Sequence, residues 1–404
     1  MQEQKKQAEA RFQALPMPEA KDENFRFTNL ENFVFPNSES KNEPHGKLPQ
    51  EFQVCDEGEE ILLTVQNENA KKVFAKAAKK QDIYFTDLLT AAEEKPELLQ
   101  KYLPLAKDFE KDKFAQLTAA RWQNGAFLFI SKNTSVELPL RAALWKGKDN
   151  FYYRNIIVLE EGAQAKFIEE LSGDDTDSLV AGSTEIFLGE NAQLSYAQVQ
   201  RLGRETKFFQ RQYVHVGKNS HALLTPIYLG GKKGQVRQDI HYEAEGGNVE
   251  IKGAARGDHE QHFDFWMNAN HEVPNTSSAL DFWFVMADKA RAIFNGMIRI
   301  THEGANTSAY QKCRSLMLSP KATVHAIPKL EIATDAVKCS HGASVSMINP
   351  EQVHYLQSRG IPREEAEQMI IRGFTEFVME RLPTEALYER VDALLSAKQA
   401  EFYH

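Results

Sequence analysis

Cysteine is scarce in this chain, with only Cys55, Cys313 and Cys339 among 404 residues. The three lie far apart and form no CxxC pair, which excludes a disulfide framework and favours a reducing compartment, the cytoplasm. Long apolar runs are also lacking, since no stretch approaches the roughly 18 residues of a membrane span. The N-terminus, MQEQKKQAEARFQALPMP, contains no apolar core of a signal peptide, so we expect no secretory signal.

Positive charge is in deficit as well. Lys and Arg number 48 against 57 Asp and Glu, which gives a formal net charge of −9. Because phosphate contacts need concentrated Lys and Arg, this balance argues against a nucleic-acid-binding protein. Apolar residues make up 42%, with 25 Phe, 12 Tyr and 4 Trp, so the chain has enough apolar material for a sizeable core and is not globally disordered.

The common motifs of nucleotide and hydrolase sites are missing. There is no GxxxxGK[ST], no GxGxxG between a strand and a helix, no GxSxG and no HExxH. The segment GGKKG (230–234) lies between strand-like segments and is typical of a hairpin turn. In HEQH (259–262), His259 and His262 point to opposite faces of a strand, with His271 nearby, so a metal site is not favoured there. We therefore expect no nucleotide binding by this chain alone.

Three regions differ in their residue patterns: 1–120, 121–348 and 349–404. The first mixes helical and irregular signals, with a polar, Pro-containing loop at 35–50. Its Ala, Leu, Lys and Glu predict helices at 71–81, 85–94, 96–103 and 109–123.

The central region alternates apolar and polar residues with period two, which is typical of strands. A unit of strand, short polar turn, small residue and strand recurs. We place its copies at 157–168, 186–197, 214–224, 240–251, 284–294, 300–310 and 316–327. With no long helix between the strands, alternating βαβ units are excluded. The repetition predicts a solenoid of strands, with an antiparallel sandwich as the alternative.

The last region is helical again. Asn349 is an acceptable N-cap, Pro350 suits the first helical position, and Gly360 can close the helix at 349–360. Two more amphipathic helices follow at 361–382 and 383–402. Their apolar stripes comprise Ala366, Met369, Ile370, Phe374, Phe377 and Val378, then Leu387, Val391, Leu394 and Leu395. These stripes must be buried against the strands, each other or a partner.

The segment KCSHG (338–342) carries the most informative chemistry. Cys339 and His341 are at i and i+2 of a strand-like stretch, so both side chains project from one face. A thiolate and an imidazole suit iron or zinc, although two ligands do not complete a site. Cys313 lies one repeat earlier and would join them if the coils stack. The alternative is that Cys339 is a small buried apolar residue and His341 an ordinary surface residue.

Several segments together resemble the SufB/SufD family of iron–sulfur cluster assembly proteins, and its SufD branch in particular. DAVKCSHGASVS (335–346) and EQVHYLQSRGIPREEAEQMIIRGF (351–374) are similar to the family's long C-terminal signature, which IPKLEI (327–332) precedes. LPMPEAKDENFRFTNL (15–30) resembles the start of the SufD branch, and 114–140 resembles the entry into the family's core. The resemblance covers nearly the whole chain. It implies an N-terminal helical region, a right-handed parallel β-helix and a C-terminal helical domain.

The resemblance also implies a function. SufD pairs with SufB, each binds one copy of the ABC-type ATPase SufC, and the complex builds an iron–sulfur cluster and passes it to apo-proteins. Sulfur arrives from a cysteine desulfurase through a carrier. The chain would then be a non-enzymatic scaffold with no permanently bound cofactor. Iron or a cluster would be held transiently at the interface with SufB. The sequence leaves open whether a homodimer forms when SufB is absent.

Residues carry over from the family one at a time. His341 occupies the histidine of the SHGA motif, which the family implicates in cluster assembly, and Cys339 matches a cysteine found in some SufD chains. Cys313 departs from the pattern, since SufD often has Asn there whereas SufB carries its important cysteine. For SufC we expect binding through the C-terminal helices. The candidate contacts are Met369, Ile370, Phe374 and Phe377.

Two alternatives remain at this point. A carbohydrate-active β-helix enzyme needs clustered carboxylates on one solenoid face, and the acidic residues of 240–303 show no clear stacked pair. A SufB-type subunit should carry more cysteines in its core than Cys313 and Cys339. The sequence leaves the cluster type and flavin binding open.

Overall fold

A computed structural model describes residues 2–19, 21–22, 25–28, 30, 35, 60–66, 69–73, 83–104 and 109–403. Cys55 and nearly all of the predicted loop at 35–50 lie outside these ranges. The helices are α1 (Gln2–Ala14), α2 (Leu88–Glu94), α3 (Pro96–Tyr102), α4 (Lys113–Arg121), α5 (Pro350–Ser358), α6 (Arg363–Met379) and α7 (Glu385–Tyr403). None of the helices in the described ranges combines the length and the apolar character needed to cross a bilayer.

Strands make up the centre of the molecule. They are β1 (Ile61–Gln66), β2 (Asn69–Val73), β3 (Ile83–Asp87), β4 (Ala126–Ile130), β5 (Leu140–Lys146), β6 (Phe151–Leu159), β7 (Gln164–Gly173), β8 (Leu179–Leu188), β9 (Gln193–Arg201), β10 (Lys207–Val216), β11 (His221–Tyr228), β12 (Lys233–Tyr242), β13 (Asn248–Gly257), β14 (His262–His271), β15 (Ser277–Met286), β16 (Arg291–Ile300), β17 (Thr307–Met317), β18 (Thr323–Ile332) and β19 (Val337–Met347).

The strands form two sheets that face each other. Sheet A has the order β2-β1-β5-β7-β9-β11-β13-β15-β17-β19, and sheet B has the order β3-β4-β6-β8-β10-β12-β14-β16-β18. Neighbours are parallel except for the pairs β1/β2 and β3/β4, which are antiparallel. From β4 onward, successive strands alternate between the sheets, so the chain winds as a parallel β-solenoid. The solenoid prediction is confirmed, and the antiparallel sandwich is excluded.

One corner of the solenoid recurs once in each coil and so shows how many residues a coil contains. A residue with positive φ occupies this corner in successive coils: Asn133, Gly162, Asn191, Asn219, Gly246, Asn275 and Asn306, which lie 27 to 31 residues apart. Asn and Gly are the residues that adopt this left-handed conformation most readily. Each is followed by Ala, Ser, Thr or Gly, and at Ala163, Ala192 and Ser220 this is the small residue of the predicted repeat.

The predicted repeat therefore combined copies from two different corners of the coil. The copies at 284–294 and 316–327 span the opposite corner, where β15 leads to β16 and β17 leads to β18. The corner at Asn275 was missed because its sequence, EVPNT, lacks the alternating pattern. GGKKG (230–234) is likewise a corner between β11 and β12 of different sheets, so the hairpin prediction was wrong.

The interior between the sheets is one continuous apolar core with a polar exception. Glu169 is fully buried, and its carboxylate accepts five hydrogen bonds. The donors are Tyr153 Oη (3.1 Å), Asn155 Nδ2 (2.9 Å), Thr184 Oγ1 (2.8 Å), Tyr196 Oη (2.8 Å) and Gln198 Nε2 (2.8 Å). A buried carboxylate without a cationic partner needs such a full set of donors, because an unmet polar group in the interior is costly.

The N-terminal region packs on the outer face of sheet B. Helix α4 begins at Asp112, whose carboxylate accepts from two backbone amides, and Phe114 stacks on Phe209 of β10 at 3.8 Å. The preceding segment reaches further along the sheet. Thr28 Oγ1 donates to Asp264 of β14, and the ring of Phe27 stacks on His325 of β18 at 5.1 Å.

The helix predictions for this region are partly wrong. The helices at 96–103 and 109–123 are present as α3 and α4. The predicted helix at 71–81 is a strand in its described part, since β2 pairs with β1 and tertiary pairing overrides helix propensity. The predicted helix at 85–94 divides into β3 and α2, because Asp87 ends the strand and caps the helix by accepting from two amides.

The C-terminal helices lie on the outer face of sheet A. Asn349 caps α5 by accepting from the Glu351 amide at 2.8 Å, and Gly360 has a φ of +88°, as the sequence predicts. Helix α6 crosses β13 and β15. Helix α7 buries Leu387 and Val391 completely against apolar residues of β7, β9 and β11. The α7 stripe is thus already covered by the solenoid.

Candidate functional site

The solenoid ends openly at β18 and β19. Each is the last strand of its sheet and has a strand neighbour on one side only among the described residues. Side chains that are buried in earlier coils are therefore uncovered here, with Ile332, Val345 and Met347 exposed at 41%, 45% and 42%. We call these two strands and their interior-facing side chains the open end. An exposed strand edge of this kind is a template for pairing with another chain.

Cys339 and His341 lie on β19 at the open end. In the parallel ladder, Cys339 is beside Ala309 and His341 is beside Gln311, both of which are buried in the solenoid interior. The two side chains therefore belong to the interior-facing row, on one face of the strand. Cys339 is half-buried, and burial raises the pKa of its thiol, whereas His341 is exposed. The structure places this pair where a second molecule can reach it.

Cys313 occupies the same row one coil below. It pairs with Ala343 rather than with Cys339 or His341. At a rise of about 3.3 Å per residue, it lies about 7 Å further along the row than the position beneath His341. Its side chain is 1% exposed, and burial raises the pKa of the thiol to about 12. Cys313 therefore faces the solenoid interior, as Cys339 and His341 do, but it is buried beneath the last coil.

Gln311 is the neighbour of His341 in the ladder, one coil further into the solenoid. The sequence does not single it out. Its amide donates to the backbone carbonyl of Lys329 at 2.9 Å and so joins β17 of sheet A to β18, the last strand of sheet B. Gln311 is 1% exposed. Only the register of β17 against β19 identifies it, because its position in the sequence carries no metal-site or catalytic motif.

The described residues contain no group of three or more His, Cys, Asp or Glu side chains that could hold a metal ion. Cys339 and His341 supply at most two ligands, so any metal bound here needs further ligands from beyond the described residues. The histidines at 259, 262 and 271 have different surroundings. His259 lies in a corner with a φ of +50°, His262 contacts Thr28, and His271 is buried between the hydroxyls of Thr276 and Ser278.

Helix α6 carries the second candidate surface. Met369 and Phe377 are 48% and 44% exposed, whereas Ile370 and Phe374 are half-buried against Val285, Leu316 and their neighbours. The four predicted contacts therefore do not form one face. Met369 also borders a cavity of about 240 Å³ between α6 and α7, together with Arg372 and Asp392.

Comparison with known families matches both halves of the chain. The family described as "SUF system FeS cluster assembly, SufBD core domain" matches residues 144–374, and the "SufBD protein N-terminal region" matches residues 1–142.

Individual relatives agree with these matches. The iron–sulfur cluster assembly protein SufD of Bacillus subtilis (strain 168) is 30% identical over 412 residues, covering 97% of this chain and 92% of that protein. An iron–sulfur cluster assembly SufBD family protein of Staphylococcus aureus (strain MRSA252) is 26% identical over 398 residues, covering 94% of this chain and 85% of that protein.

Proposed function

Since this chain belongs to the SufBD family of SUF-system iron–sulfur cluster assembly proteins, we propose that it is the SufD-type scaffold subunit of a SufB–SufC–SufD complex. In this role it helps to assemble a cluster and transfers it to apo-proteins in the cytoplasm. The observation that carries the proposal is the exposed, incomplete ligand pair Cys339 and His341 at the open end. Family membership decides against the carbohydrate-active alternative.

The partner at the open end is SufB, a second solenoid of the same family. The unpaired edges of β18 and β19 suit strand addition, in which backbone hydrogen bonds give affinity. The exposed apolar side chains of the open end give additional area to bury. When SufB is absent, the same edges serve a homodimer.

Iron and sulfide are the substrates held at this interface. His341 offers an imidazole nitrogen and Cys339 a thiolate, and SufB supplies the remaining ligands. Burial raises the pKa of the Cys339 thiol and so keeps it protonated before iron binds. Binding of iron then releases this proton. Sulfur comes from a cysteine desulfurase through a carrier protein. Cys313 takes no direct part, since its thiol is buried and protonated at neutral pH.

The ATPase SufC docks on α6. Met369 and Phe377 present apolar surface to solvent there, and the adjoining cavity between α6 and α7 can receive a partner side chain. This chain is non-enzymatic itself and needs no resident cofactor. Its sequence has no phosphate loop, so ATP hydrolysis should appear only when SufC is present.

Co-purification of the tagged chain with SufB and SufC tests the proposal. Val345→Lys and Ile332→Lys place a charge at the open end and should release SufB while SufC remains bound. Glu161→Lys, at an exposed corner many coils away, is the matched control and should retain both partners. If both open-end variants retained SufB at the wild-type level, the open end would not be the interface with SufB.

A further inference from the structure

A group of cations lies beside α6 on the outer face of sheet A. It consists of Lys312 and Arg314 of β17 and Arg381 just after α6, which we call the cationic patch. All three side chains are exposed, and none forms an ion pair with a described residue. In a chain with a net charge of −9, such a concentration of positive charge is a local feature that needs an explanation.

Aromatic rings hold part of this patch in place. Trp283 and Phe377 pack with their centroids 5.0 Å apart. The guanidinium of Arg314 lies 5.8 Å from the Trp283 ring, and that of Arg381 lies 5.9 Å from the Phe377 ring. Cations over aromatic faces are attracted by the ring quadrupole, so these two charges are oriented before any partner binds.

Nearby carboxylates do not neutralise the patch. Asp281 is beside Lys312 in the ladder, but it is 6% exposed and accepts a hydrogen bond from Lys252 at 2.6 Å. On the outward-facing row of β19, the neighbours of Lys312 and Arg314 are Gly342 and Ser344, which carry no charge. The field of the three cations therefore reaches the solvent.

We propose that the cationic patch receives an acidic segment of the ATPase subunit, an inference that rests on the proposed docking of that subunit on α6. Phe377 joins the two surfaces, since it is exposed on α6 and lies against both Trp283 and Arg381. The open end uses the opposite, interior-facing row of β19, so the patch continues the α6 surface rather than the SufB edge. Rim charges of this kind act mainly by steering association.

The test measures binding of purified SufC to the full chain at low and high salt. Lys312→Glu combined with Arg314→Glu should lower the association rate about tenfold at 50 mM NaCl, with the difference disappearing at 500 mM. Lys132→Glu combined with Lys289→Glu makes the same charge change at two distant exposed corners and should change the rate less than twofold.

A zero-length carbodiimide cross-link identifies the acidic segment. Lys312 should become coupled to an Asp or Glu of SufC, as read by mass spectrometry. Salt-independent binding of the wild-type chain, with no such cross-link, would overturn the inference even if the variants failed to fold. Absence of any SufC binding by the wild-type chain would instead overturn the proposed function.

Discussion

Cys313 lies beside Ala343 in the ladder of β17 and β19, so its thiol sits one coil beneath the surface that carries Cys339 and His341. The two cysteines share a row but differ in burial, since Cys313 is 1% exposed and Cys339 is half-buried. This register separates a cysteine that belongs to the core from one that is accessible at the open end.

The first prediction concerns thiol reactivity. With a pKa of about 12, Cys313 exists as thiolate in only about one molecule in ten thousand at pH 8. Iodoacetamide should therefore modify Cys339 well before Cys313 in the folded chain, as followed by peptide mass spectrometry. In 6 M guanidinium chloride the two should react at similar rates. Equal rates in the folded chain would contradict the burial of Cys313.

A second prediction tests the buried carboxylate of the core. Glu169→Gln leaves five donors around a side chain that accepts through one oxygen and adds two N–H groups of its own. We expect a loss of about 2–4 kcal/mol in the free energy of unfolding, measured by chemical denaturation. Glu161→Gln, whose carboxylate pairs with Lys132 on the surface, should change it by less than about 0.5 kcal/mol. Equal stability of the two variants would mean that the Glu169 network is not formed.

A third prediction separates α7 from α6. Leu387→Ala removes a fully buried side chain and should cost about 2–5 kcal/mol of stability, whereas Met369→Ala should leave the melting temperature unchanged. Met369→Ala should instead weaken SufC binding about tenfold. Unchanged SufC affinity in a stable Met369→Ala variant would place the dock elsewhere.

The fourth prediction follows from His271. Burial between two hydroxyls lowers its pKa from 6.5 to about 3, so the unfolded chain binds more protons between these values. The contribution of His271 to the free energy of unfolding therefore rises with pH from about 3 to 6.5. Above pH 6.5 this contribution is fully present. His271→Gln should reduce that slope by up to about 1.4 kcal/mol per pH unit, as measured by denaturation at several pH values. His302→Gln, at an exposed corner, should leave the slope unchanged.

Much of the fold follows from local sequence patterns. Period-two alternation predicts the strands, and the Asn349 cap with Gly360 predicts the limits of α5. The coil length was not predicted, although the Asn or Gly that precedes each small residue recurs every 27 to 31 residues. That signal concerns backbone conformation rather than hydrophobicity, so a search for apolar repeats passed over it.

The site depends on relationships between distant parts of the chain. The sequence indicates that Cys339 and His341 share a face, because both lie on one strand. It could not place Cys313, whose neighbour Ala343 depends on the register of two strands. It could not divide the α6 stripe either, since the burial of Ile370 and Phe374 arises from contact with the solenoid.

Cluster assembly by the complex of this chain with SufB and SufC tests the central claim most directly. The measurement is the iron and acid-labile sulfide content of the complex after anaerobic reconstitution, together with its visible absorption. His341→Ala should leave all three subunits associated but reduce the cluster content at least tenfold, and Cys339→Ser should retain part of it. His302→Ala is the control and should match the wild type. Full cluster content in a correctly assembled His341→Ala complex would contradict the role of the open end.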